Sequence, residues 1–127
     1  MPAEDTPVRL VIPARARYLR LARLTAAGIG GDLGFGLEAI EDLRVAVDEV
    51  SAILIEGADD GAELELVYRS LDEGLVIEGS CDNPGAVPDL HPVARELLAM
   101  TADDYSVYAA GDVMSFRLLK RREAAPG

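Results

Sequence analysis

The chain has 127 residues, half of them hydrophobic, with a mean hydropathy of +0.14 and a formal net charge of −11. That supports one folded domain over 1–127 with an ordered core at about 8–122, and it excludes the basic footprint that general nucleic-acid binding requires. The same acidity disfavours anionic membrane surfaces, and no run approaches the roughly 18 apolar residues of a membrane span. Residues 1–6 and 123–127 are polar or small and are expected to fray. Val8, Leu10 and Ile12 alternate in "VRLVI", which predicts a first strand ended by Pro13. In "RARYLRLARLTAAGIGGDLG", Tyr18, Leu21 and Leu24 fall at helical spacing, with Gly28, Gly30 and Gly31 expected to close the helix.

A second helix is predicted from about Gly36. Ile40, Leu43, Val47, Val50 and Leu54 form its apolar stripe, and Glu38, Asp42, Glu49 and Glu56 an acidic stripe beside it. "DDG" at 59–61 is expected to stop it. "AELELVYR" and "LVIEGSCD" alternate as a hairpin around "SLDEG". "NPGAVPDLHP" is a loop with three prolines, and Pro92 opens a short helix, "VARELLAM". "DYSVYAA" and "VMSFRLLKR" make a last hairpin turning at Gly111–Asp112. This order predicts an α/β fold: a two-layer sandwich with helices on one face of a mixed, mostly antiparallel sheet.

One cysteine, Cys81, permits no internal disulfide, and one histidine, His91, with no cysteine pair builds no zinc site, so no metal site is expected. With no signal-peptide apolar region at the N-terminus, a cytoplasmic protein is expected. Cys81 reads as a small buried strand residue and His91, before Pro92, as a helix-entry residue.

Three stretches carry a family resemblance: "IPARARYLRLAR", "IEDLRVAVDEVSAILI" and "LLAMTADDYSVYAAGDVMSFRLLKR". Their order and spacing resemble the serine-kinase anti-sigma factors of the RsbW kind, small members of the histidine-kinase-like (GHKL) ATPase superfamily. The "DLRVAVDEV" run is most similar to the actinobacterial anti-sigma-F branch. The resemblance implies a GHKL fold and a partner-switching protein. Such a protein binds an alternative, sigma-F-like sigma factor, is released by a STAS-type anti-anti-sigma factor, and forms a homodimer through its first strand and helix. It implies a role in stress response.

It also implies positions for chemistry. Glu49 matches the family's general base, but the magnesium-binding asparagine four residues on is Ile53, which offers no oxygen to a cation that demands oxygen ligands. Asp82 matches the adenine-binding aspartate, and Gly85 lies in the loop that follows. Pro84 and Ala86 stand where that box carries glycines, and no glycine-rich lid follows Gly85. Proline removes a backbone donor and restricts the approach of that loop. Gly111–Asp112 replaces a Gly-Thr pair, placing an anion beside the adenine position. The nucleotide site reads as degenerate and no cofactor is expected. ATP and Mg²⁺ belong to an alternative reading, a working serine kinase in which Asp48, Glu49 and Glu56 recruit the metal.

Each position also has a plain structural explanation. Glu49 sits in register with Asp42 and Glu56 on a solvated acidic face, and Asp82 precedes a turn sequence. Arg15, Arg17, Arg20 and Arg23 form a basic run in an acidic chain. The resemblance makes Arg17, Arg20 and Arg23 partner-binding residues; intramolecular pairing with the acidic helix is the competing account. A third reading is an adaptor that binds neither nucleotide nor sigma factor.

Overall fold

Alternation of Val8, Leu10 and Ile12 places one face of strand β1 (Val8–Pro13) against the core, where Ile12 is buried, while Arg9 and Val11 face solvent. The computed structural model describes residues 6–85, 87 and 89–122. The fraying expected for 1–5 and 123–127 lies outside the described residues, as do Ala86 and Pro88 of the proline loop. After a 3₁₀ turn at Ala16–Tyr18 come α1 (Leu19–Asp32) and α2 (Leu37–Ile55). The hairpin β2 (Glu63–Leu71) and β3 (Gly74–Asp82), helix α3 (Pro92–Thr101), and the hairpin β4 (Asp104–Ala110) and β5 (Val113–Arg121) complete the order.

The buried face of α1 differs from the expected one. Leu24 is 57% exposed, and the core side is Leu19, Ala22, Ala26 and Gly30. Small residues let α1 approach α2 and the sheet closely: a Cβ on Gly30 would already touch Leu43 and Phe35 at 3.4 Å. Of the bulky residues read at helical spacing, Tyr18 and Leu21 pack against the margin of the core and Leu24 does not. Nor do Gly28, Gly30 and Gly31 close the helix, which runs through them to Asp32. Gly34, at φ +83°, ends it: the Gly34 N–H donates to the Gly31 carbonyl and the Phe35 N–H to the Gly30 carbonyl.

Helix α2 buries the stripe read from the sequence, with Leu43, Val47, Val50 and Leu54 at 0% exposure. It stops at Ile55 before Gly57, φ +77°, so "DDG" at 59–61 lies beyond its end. His91 caps α3 by accepting the Val93 N–H at Nδ1, 3.2 Å.

The five strands lie in the order β1-β2-β3-β5-β4 with every pair antiparallel, and the helices cover one face. The sheet is thus antiparallel throughout, where a mostly antiparallel one with some mixed pairing was expected. Strand β4 runs parallel to β3, but β5 stands between them, so α3 connects strands that never pair. The core lies between sheet and helices, from Leu64, Leu66 and Tyr68 through Leu75 and Ile77 to Met114, Phe116 and Leu118.

Candidate partner-binding and nucleotide site

Helix α2 carries Glu49 half-buried on the side that faces α1, in a groove shared with Arg23, Arg44, Val45 and Asp48. Ile53, one turn on, packs against the hydrophobic core. It contributes apolar contact where the family resemblance calls for an oxygen ligand. Asp42, in the same acidic stripe, accepts from Lys120 Nζ at 3.2 Å, so part of that stripe is used internally.

Past the end of α2 the chain builds a second groove, of about 560 Å³, at the C-terminal tip of β3. Asp59, Asp60, Asp82 and Asp112 line it together with Asn83 and Pro84. Sheet register explains part of this gathering: Asp82 pairs with Val113, next to the hairpin turn, and the Asn83 N–H donates to the Asp112 carbonyl at 2.8 Å. Among the described residues, no three His, Cys, Asp or Glu side chains converge closely enough to hold a metal ion.

Asn83 is 3% exposed and fully engaged. Its Nδ2 donates to the carbonyls of Leu54 (3.0 Å) and Glu56 (2.9 Å), and its Oδ1 accepts the Gly85 N–H at 3.1 Å. One side chain thus ties the last turn of α2 to the end of β3 and bends the loop through Gly85. Asp82 is exposed, and Gly85 lies beside it with its N–H already used. Glu49 and Asp82 line separate grooves. Cys81, buried one residue earlier, has its thiol pKa pushed up by burial and then by the neighbouring Asp82 carboxylate.

The basic run is dispersed by the fold. Arg15 pairs with Asp60 at 3.2 Å on the rim of the second groove. Arg17 lies over the Tyr18 ring, 4.8 Å from its centroid, and donates to the Tyr18 hydroxyl at 2.9 Å. Arg23 pairs with Asp48 across the α1–α2 contact. Arg20 is exposed and has no ion-pair partner among the described residues.

Over 92% of its length the chain superposes on a solved structure, that of the RsbU and RsbW domains of Rv1364c from Mycobacterium tuberculosis, with a TM-score of 0.68 and 14% identity. The superposition covers 32% of that chain. In sequence, it is 32% identical over 72 residues to serine-protein kinase RsbW of Bacillus cereus (strain B4264) and of Bacillus thuringiensis subsp. konkukian (strain 97-27). The chain has the RsbW-type fold. The matched stretch is 55% of this chain, and the chain spans a little under half, 45%, of each of those relatives. No family model matches it.

Two residues of this RsbW-like fold take roles that the sequence did not suggest for them. Asn83 sits in an Asn-Pro-Gly run that reads as turn chemistry, and only the approach of α2 makes it a helix clasp. Asp48, next to Glu49, was considered only as a metal ligand, yet it is the acceptor for Arg23. Its signal was present in the excess of arginine on one helix and of carboxylate on the next.

Proposed function

We propose that this RsbW-like chain is an anti-sigma factor that inhibits by binding and has set aside phosphoryl transfer. It holds an alternative, sigma-F-like sigma factor in the cytoplasm, yields it to a STAS-type anti-anti-sigma protein in a stress response, and works as a homodimer. Similarity in sequence and fold to RsbW proteins supports the class. The net charge of −11 suits the basic DNA- and core-binding surfaces of a sigma factor and would speed encounter with them. Arg17, Arg20 and Arg23, beside the exposed Leu24, form the surface we assign to protein partners.

The observation that carries the loss of catalysis is Ile53, partly buried and packed against the core at the position that must offer oxygen to magnesium. The acidic groove acts in the same direction. A triphosphate approaching Asp59, Asp60, Asp82 and Asp112 meets like charge, each close contact costing roughly 1 kcal/mol in water and more near a protein surface. Magnesium ordinarily offsets such repulsion, and the residues present do not fit the ion.

The competing reading, an ATP-dependent serine kinase, is favoured by one feature: Glu49 keeps the position of the general base in an open groove. Isothermal titration with Mg-ATP separates the two. Binding at micromolar affinity, with transfer of γ-phosphate to a serine of the STAS partner, would return the kinase. No heat, with stoichiometric capture of the sigma factor in the absence of nucleotide, is the expected result.

A further inference from the structure

The helices cover one face of the sheet, and among the described residues nothing covers the other. Residues opposite each other on antiparallel strands share a face. The registers therefore set one row straight across all five strands of the open face: Val11, Glu65, Ser80, Ser115 and Tyr108. Large side chains stand at its ends, Val11 at 47% and Tyr108 at 48% exposure, and its middle is two small, half-buried serines. The row is thus a trough. A hollow of about 210 Å³ lies over Ser80 and Ser115, between Glu65, Glu78 and Tyr108. A second, of about 290 Å³, shares Glu65 and Ser80 with it and reaches Glu63 and Asp82. That hollow in turn shares Asp82 with the aspartate groove at the tip of β3.

Charge along this trough selects its occupant. Glu65 and Glu78 each hold one arginine, Arg9 at 2.8 Å and Arg69 at 3.0 Å. Asp59, Glu63, Asp82 and Asp112 have no ion-pair partner among the described residues. A nucleic acid is repelled here, and an apolar partner would have to strip water from these carboxylates without pairing them. We propose that the trough docks an extended, lysine- or arginine-rich segment of a protein partner. Alternate side chains of an extended segment point the same way, so every second one reaches down to the carboxylates. Serines on the floor are small enough to let its backbone approach the sheet, and the Tyr108 ring offers a face to one of its cations. This docking rests on the reading of the chain as a partner-binding protein. It gives a basic partner a face of its own, on the other side of the sheet from the arginines of α1.

A fluorescent peptide of alternating lysine and serine, titrated with the full chain and read by anisotropy, supplies the test. Three substitutions separate the trough from the general pull of an acidic protein. Glu63→Lys reverses a charge beside the trough. Glu73→Lys makes the same net change in the turn between β2 and β3, at the opposite end of the sheet. Ser115→Leu fills the floor and leaves the charge alone. At physiological salt, where the Debye length is about 8 Å, distant charges are screened. Glu63→Lys and Ser115→Leu should each weaken binding about fivefold or more, and Glu73→Lys less than about twofold. Equal weakening by the two lysine variants would overturn the proposal, as would full affinity in Ser115→Leu or no binding by the wild type. Should Ser115→Leu fail to fold by circular dichroism, the lysine pair decides alone. The sigma factor is absent from this assay, so loss of peptide binding leaves the anti-sigma reading standing. That reading fails instead when the chain captures no sigma factor, whatever the peptide does.

Discussion

The amide of Asn83 donates to the carbonyls of both Leu54 and Glu56, closing the end of α2 onto the tip of β3. Helix ends leave carbonyls without partners, and here a buried side chain from the loop after β3 supplies the missing donors. The same residue shapes the loop through Gly85, so the groove and the helix terminus are one unit.

Asn83→Ala removes these bonds inside the protein, where an unmade partner costs about 1–3 kcal/mol. We expect destabilisation of about 2–3 kcal/mol and a drop in Tm of several degrees, read by thermal or urea unfolding. Asn83→Asp should be at least as damaging, because a carboxylate would face two carbonyl oxygens. An unchanged urea midpoint in both variants would show that water replaces the clasp.

Tyr68, 2% exposed, donates its hydroxyl to the Ala22 carbonyl at 2.9 Å and so joins β2 to α1. Burial raises its pKa well above the ordinary value of 10.0, with a hydrogen bond to Thr25 opposing in part. The unfolded chain therefore loses this proton first as pH rises. Stability from this group is full below about pH 10 and declines above it, by at most about 1.4 kcal/mol per pH unit. Cys81, also raised, acts in the same direction from a lower pH. Tyr68→Phe should cost about 1 kcal/mol at neutral pH and flatten the alkaline decline relative to wild type. Parallel urea titrations at pH 7 and above pH 10 check both.

Gly79 lies opposite Phe116 on the core face of the sheet, and a Cβ there would come within 2.2 Å of the ring. Phe116 is fully buried and cannot swing into solvent. Gly79→Ala should cost roughly 1–3 kcal/mol through overpacking. Adding Phe116→Leu should recover part of that loss, a coupling that a double-mutant cycle would detect. Additive costs would mean that the backbone, not the ring, yields.

Arg23 and Asp48 are each about a third exposed, at 33% and 39%, so their pairing is screened. A double-mutant cycle should give a coupling of at most about 1 kcal/mol. Partner binding should respond more strongly. An arginine anchoring an interface typically costs about 2 kcal/mol or more on truncation, which is over tenfold in affinity. We expect that loss for Arg20→Ala and Arg23→Ala against the sigma factor or its STAS-type antagonist, with Tm nearly unchanged. Surface plasmon resonance against both partners measures it. Two unchanged affinities would reduce the arginines to surface charge.

What local spacing encodes was legible from the residues alone. The alternation in β1 and β2, the stripe of α2 from Ile40 to Leu54, and the turn at Gly111–Asp112 are each local, and in the first two side-chain period decides which face is buried. That Ile53 offers no oxygen to a cation was equally plain, because chemistry at one position needs no third dimension. Tertiary structure decided what meets across elements. It chose Ala22, Ala26 and Gly30 over Leu24 as the packed face of α1, because helices approach most closely over small residues. It inserted β5 between β3 and β4 and so removed any parallel pair. It gave Asp48 to Arg23, gathered four aspartates from three separate segments around one groove, and turned Asn83 from a turn residue into the clasp of a helix. None of these follows from periodicity, because each depends on distances between residues far apart in the chain, and only close packing of the whole core sets those distances.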